Sequence, residues 1–369
     1  MTFTELLAKI DVPIRKFLVH NYPYASCFVY SYARKFFLNR LVNEKPEQIQ
    51  LPSELKRTFW GIEFRSPLFN AAGMFKSGKG YELACRQSAG AFLAGTATSK
   101  PRFGNYRDGI LHPFVPYPVS KSSSNWMGLP NPGVRKVFDE LQQVQKQKGV
   151  PIGLSLAADG NDMQDLKSLC EALFEAEKTN IDFIELNESC PNVDHSGLDL
   201  TSLDENFITR LEYISKNFLQ KRKRNLPVIL KLSNDFNSKF VPTLLKILID
   251  LQFDGLNFGN TSTNYPECKS RIFQKELNTF DFFTRKFGGG VSGFPLKDKS
   301  YNLTSTASNC LKKINPQREF HIVRTGGIFN FEDYQKSAEL GVSLFQWFTG
   351  YFENFTNFGH KLYQKFFKI

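Results

Sequence analysis

The chain has 369 residues, a formal net charge of +11 at pH 7 and 37 phenylalanines, enough for one large α/β domain with an appendage, or for two ordinary domains, without covalent staples. Its six cysteines are scattered with no C-x-x-C pair, which argues against a disulfide framework, a zinc site or an iron–sulfur site. No run approaches the roughly 18 apolar residues of a spanning helix, and the first residues lack a secretory signal pattern, so any membrane contact is expected to be superficial.

Residues 1–45 read as a helical extension that stops at Asn43-Glu44-Lys45-Pro46. Phe28, Val29, Tyr32, Phe36 and Phe37 recur at helical spacing, with Arg34, Lys35 and Arg40 on other faces. Such an aromatic, basic element suits a lid packed on the main domain or an interfacial helix at a membrane surface, and two apolar faces would allow both.

From residue 60 to 369 strands and helices alternate. The candidate strands are Leu68–Ala72, Ala91–Thr96, Ile152–Leu156, Ile181–Leu186, Val228–Leu232, Gly255–Phe258, Phe320–Val323 and Ser343–Trp347. Amphipathic segments lie between them, among them Leu166–Ala176, Phe207–Leu219, Val241–Leu251 and Phe331–Leu340. Eight such units predict an α/β fold, a (β/α)₈ TIM barrel with a small N-terminal helical extension; a doubly wound open sheet is the competing topology. The basic run Lys221-Arg222-Lys223-Arg224 precedes a strand and reads as a solvated loop.

The unusual residues cluster at strand ends. The first delivers Asn70-Ala71-Ala72-Gly73-Met74-Phe75-Lys76, small residues that let a flat ring approach the backbone, followed by a cation. Gly95-Thr96 follows, then the amide-rich loop Asn125-Trp126-Met127-Gly128-Leu129-Pro130-Asn131. Asn187-Glu188-Ser189-Cys190-Pro191-Asn192 places a thiol between carboxamides in a polar loop, where it can serve as a base or sit inert. Lys231, Asn260-Thr261-Ser262 and Gly288-Gly289-Gly290-Val291-Ser292-Gly293 come next. Thr325-Gly326-Gly327 and Thr349-Gly350 then form paired glycine loops in the last two units, where barrels of this kind hold a phosphate. The five histidines have no suitable partner for a protease-type triad.

Taken in order, these motifs resemble the dihydroorotate dehydrogenases over roughly residues 60–369. The resemblance implies a flavin mononucleotide (FMN) enzyme of pyrimidine synthesis that oxidises dihydroorotate to orotate. In that reading Cys190 is the base and hydride passes to FMN. Lys76 lies beside both substrate and flavin, and the substrate is held by Asn125, Met127, Gly128, Leu129, Asn187, Asn192, Asn260 and Thr261. The flavin is lined by Ala72, Gly73, Lys76, Thr96, Asn187, Lys231, Gly290, Gly327, Thr349 and Gly350. No metal and no nucleic-acid partner are expected.

Within that family the chain is a mosaic. Cys190 and Met127-Gly128-Leu129-Pro130-Asn131 look like the soluble branch, whereas Lys76, Gly95-Thr96-x-Thr98 and the extension look like the membrane-associated, quinone-reducing branch. Glu188, Ser155 and Phe348 depart from one branch or the other. A peripheral protein on the cytoplasmic side of a membrane, with quinone as electron acceptor, is the expectation. The alternatives are an FMN-dependent tRNA-dihydrouridine synthase, suggested by the positive charge, and a catalytically silent barrel that binds a membrane surface.

Overall fold

The computed structural model describes residues 1–188 and 203–369, so the expectations for Cys190 and Asn192 fall outside the described residues. Its central sheet has eight strands, paired in parallel: β1 (Leu68–Asn70), β2 (Phe92–Ala97), β3 (Ile152–Leu156), β4 (Phe183–Asn187), β5 (Val228–Ser233), β6 (Gly255–Asn260), β7 (His321–Thr325) and β8 (Leu344–Trp347). Strand follows strand in sequence order around the sheet, with β8 returning to β1. The seam between β1 and β2 is closed by a side chain: Asn70 Nδ2 donates to the Leu93 carbonyl at 2.7 Å, and its Oδ1 accepts from the Leu93 N–H at 3.2 Å. Just beyond it the Gly73 N–H donates to the Gly95 carbonyl at 2.8 Å. The barrel is therefore nearly closed, and all eight expected strands are present.

Strands buried on both faces need apolar residues outside and a filled interior inside. Ile184 and Leu186 of β4 join the large core beneath the helices, with Leu154, Leu230 and Leu256 from neighbouring strands. Phe183 points the other way, with Phe69, Leu93, Ile229, Val323 and Leu344. Below them the antiparallel hairpin Arg57–Phe59 and Ile62–Phe64 inserts Trp60 and Phe64, and Trp60 Nε1 donates to the Asp254 carbonyl at 3.1 Å. This aromatic floor seals the N-terminal end of the barrel, leaving the strand C-terminal ends for chemistry.

The helical extension is present as α1 (Phe3–Asn21) and α2 (Pro23–Leu41), divided at Tyr22 because Pro23 disfavours helical geometry there. Two features differ from the sequence expectation. A three-stranded antiparallel sheet, Phe114–Tyr117, Ser122–Asn125 and Gly290–Gly293, lies outside the barrel strands, so the glycine-rich segment 288–293 pairs with Ser122–Asn125. The basic run is only partly solvated: Arg222 grips Asp254 at 2.6 and 3.0 Å, and Arg224 Nη2 donates to the Ile181 carbonyl at 2.7 Å.

The extension is bound to the barrel through a polar knot and an apolar contact. Glu44 accepts from the Thr4 N–H and from the Thr2 hydroxyl, both at 2.8 Å, and meets His360 Nε2 at 2.8 Å. His360 in turn contacts Gln87, which accepts from the Tyr351 hydroxyl at 2.9 Å. Phe37 packs inward against Phe352 and Phe355. Tyr24, Phe28, Tyr32 and Phe36, spaced four apart on α2, stay exposed, as do Phe3, Leu6, Ile10, Ile14 and Phe17 on α1. Among the described residues no helix is long and apolar enough to cross a membrane.

Candidate active site

A cavity opens at the C-terminal ends of the strands. Ala72, Gly73 and Lys76 reach it from the segment after β1, and Thr96 from β2. Asn125, Met127 and Leu129 reach it from the amide-rich loop, Asn187 from β4, Lys231 from β5, and Asn260 and Thr261 from the end of β6. Gly327, Thr349 and Gly350 complete the wall. Thus residues from eight separated segments, singled out in the sequence for their chemistry, meet around one space.

Two of the expected residues do not line it. Gly128 turns the backbone between Met127 and Leu129, and a Cβ there would stand 2.4 Å from Asn105 Oδ1. Gly290 lies in the antiparallel side sheet opposite Asn125, its carbonyl accepting from Asn125 Nδ2 at 3.5 Å. Both act through the backbone that presents Met127, Leu129 and Asn125.

The carboxamides are held in fixed orientations. Asn260 Nδ2 donates to Asn187 Oδ1 at 3.0 Å, and Asn187 Nδ2 donates to Thr96 Oγ1 at 3.3 Å. Thr96 Oγ1 meets Ser155 Oγ at 3.0 Å, which gives Ser155 a place under the wall. Asn260 Oδ1 also accepts from the Thr261 N–H at 3.1 Å. With the amide directions set, such a wall recognises a planar ligand carrying both donors and acceptors and penalises one that lacks them. Ser292 of the glycine-rich segment also lines the cavity, as do Ser123 and Gln346, which do not stand out in the sequence. Ser123 and Ser292 meet at 2.9 Å, and Ser292 meets Thr349 at 3.1 Å, forming a hydroxyl row. The run Ser122-Ser123-Ser124, unusual in a strand, was the available signal.

The space fits a flavin nucleotide. A Cβ added to Gly73 would meet nothing within 4 Å, so the first-strand segment faces open room. At Gly350, by contrast, a Cβ would lie 1.9 Å from the Ile328 carbonyl oxygen, so the two glycine loops are wound together too tightly for any side chain. Gly350 is in the first turn of helix Thr349–Phe358, and Phe348 ahead of it supplies no side-chain cap, which leaves that end suited to an anion such as a phosphate. Thr261 lines the cavity, and its Oγ1 is buried without a hydrogen-bond partner among the described residues.

A second, mainly apolar cavity lies between the extension and the barrel. Leu7, Ala8, Phe36 and Phe37 form its helical side, and Phe352, Phe355 and Glu353 its barrel side. Phe114, Ser123, Phe348 and Thr349 line both cavities, so one layer of side chains separates them. Arg34 stacks over the Phe114 ring at 5.7 Å. Burial pushes the Glu353 carboxyl above its ordinary pKa, with Arg15 and Lys121 pulling it back.

Close to the start of the Cys190 segment, the structure holds a buried ion pair. Glu188 Oε2 accepts from Arg210 Nη2 at 2.9 Å and from Nε at 3.1 Å. The Glu188 charge is thereby answered from the helix Glu205–Ile214, which follows β4 in the chain.

Comparison with known proteins gives a consistent result. A family model described as dihydroorotate dehydrogenase matches residues 54–366. Among curated relatives, "Dihydroorotate dehydrogenase (quinone)" of a Cyanothece species is 26% identical over 313 residues, covering 83% of this chain and 77% of its own. The protein of the same name from Coxiella burnetii is 26% identical over 319 residues, covering 85% and 84%. Among solved structures, that of Eimeria tenella DHODH in complex with ferulenol superposes with a TM-score of 0.73 at 18% identity, covering 90% of this chain and 88% of that one. This last likeness supports the fold.

Proposed function

This chain belongs to the dihydroorotate dehydrogenase family, and from that membership we propose that it oxidises dihydroorotate to orotate and passes the electrons to a quinone. The observation that carries the reading is the pair of cavities: one is lined by oriented carboxamides and Lys76, the other is apolar, and a single side-chain layer divides them. A planar, anionic, amide-bearing substrate matches the first, and an isoprenoid quinone matches the second. The family match favours this over the RNA-modifying reading.

Ala72, Gly73, Thr96, Lys231, Gly327, Thr349 and Gly350 would hold FMN, whose chemistry is to accept a hydride and release its electrons onward. The protein's own part is proton transfer and positioning. Asn125, Asn187 and Asn260 orient the substrate ring, and Lys76 offsets its negative charge. Cys190, carried over from the sequence resemblance, takes a ring proton from dihydroorotate as the hydride departs, and Asn192 of the same loop joins the substrate contacts. Gly128 and Gly290 support the wall from behind.

The exposed aromatic faces of α1 and α2 would rest in a membrane interface, with Lys35 and Arg40 near anionic headgroups, so that quinone enters between the helices. The protein would then be peripheral on the cytoplasmic side. The test is anaerobic: the flavin of the purified protein should bleach on mixing with dihydroorotate, then recover with quinone faster than with fumarate or nicotinamide nucleotide. A flavin that stays oxidised would overturn the proposal in favour of a silent barrel.

A further inference from the structure

Beneath the active-site cavity the barrel interior holds a buried carboxylate to which the reaction as proposed gives no part. Glu185 of β4 is fully buried. Its Oε1 accepts from Lys231 Nζ at 2.9 Å, and its Oε2 accepts from Asn257 Nδ2 at 2.8 Å and from Gln346 Nε2 at 2.6 Å. Thr325 Oγ1 ties the ring together, donating to Asn257 Oδ1 at 3.0 Å and Gln346 Oε1 at 3.1 Å. Lys231, Gln346 and Thr325 line the cavity, whereas Glu185 and Asn257 do not. The carboxylate therefore sits one layer behind the lysine.

A glutamine at 185 could replace several of these hydrogen bonds. What it could not supply is the negative charge, and burying a charge carries a desolvation cost that a merely structural hydrogen-bond hub would avoid. In a layer closed to water that charge is poorly screened, and its nearest cation is the one facing the cavity. An ammonium beside a flavin stabilises the electron-rich reduced ring and raises its potential; a carboxylate bound to that ammonium opposes the effect.

We infer that Glu185 is a positioning residue that cancels the Lys231 charge behind the active-site cavity and so holds the reduction potential of the bound flavin below the value a lone ammonium would set. The inference rests on the flavin reading above. Its consequence is a reduced flavin that gives up electrons to the quinone more readily.

The test is the midpoint potential of the yellow holoprotein, measured by equilibration with indicator dyes, for the parent and for Glu185→Gln. The variant should favour the reduced flavin at least tenfold, a rise of ~30 mV for two electrons. A structural role alone would change yield or melting temperature and leave the potential in place. Should Glu185→Gln not accumulate, Glu185→Asp, which retracts the carboxylate by one methylene, should raise the potential by less. A potential equal to or below the parent's in the variant measured overturns the inference. A colourless parent protein would overturn the flavin reading together with it, whereas a yellow parent whose potential ignores position 185 would overturn the inference alone.

Discussion

Replacing Arg210 by methionine tests how the start of the Cys190 segment is held. Glu188 is 4% exposed and Arg210 6%. Both contacts to the guanidinium run through a single carboxylate oxygen, and the other oxygen is buried without a partner among the described residues. Methionine keeps most of the side-chain volume but strands the carboxylate, and breaking one side of a buried pair costs about 3–5 kcal/mol. With a urea m-value of about 3 kcal/mol/M, the unfolding midpoint should fall by about 1–1.7 M. The double variant Glu188→Leu, Arg210→Met removes both charges and should return to within about 1 kcal/mol of the parent, since a buried pair replaced by apolar residues is often neutral. Equilibrium urea unfolding followed by circular dichroism measures all three proteins. If Arg210→Met lost less than about 1 kcal/mol, or if the double variant lost the sum of the two single losses, the pair would not be the clamp described.

Three further outcomes are expected. Gly350→Ala would drive a Cβ against the Ile328 carbonyl at 1.9 Å, at a cost of about 1–3 kcal/mol, and should purify with little flavin absorbance per chain; full colour would contradict the glycine cradle. Cys190→Ala should slow flavin reduction by dihydroorotate about 10²–10⁴-fold in stopped flow, with Cys190→Ser falling between it and the parent. Because burial raises the Glu353 carboxyl pKa, the folded state binds that proton more tightly than the unfolded chain. Its stability contribution is complete below the ordinary glutamate range and is lost as pH rises through the folded value. Glu353→Gln should accordingly melt higher than the parent at pH 8 and nearly equal to it at pH 4, and parallel melting curves at both pH values would refute this.

The barrel was legible because its strands are short apolar runs separated by amphipathic helices, and Ile152–Leu156 was bounded in the sequence as it is in the structure. The side sheet was not. Ser122–Asn125 and Gly290–Gly293 carry no apolar alternation, and their ladder joins residues more than 160 positions apart, so local pattern has nothing to report. Among site residues, glycines and asparagines stood out because loops rarely need so many together. Glu185 did not, because a lone acid in an apolar run reads as a solvent-facing position until the ring of Lys231, Asn257 and Gln346 is assembled from three other strands.

The thin partition of Phe114, Ser123, Phe348 and Thr349 has a practical consequence. With a flavin on one side, any molecule lodging on the other displaces water within a side chain's width of the chromophore, shifting its absorption and fluorescence. The protein would thus carry a built-in optical reporter, allowing unlabelled compounds that occupy the helical cavity to be ranked by colour alone, without turnover.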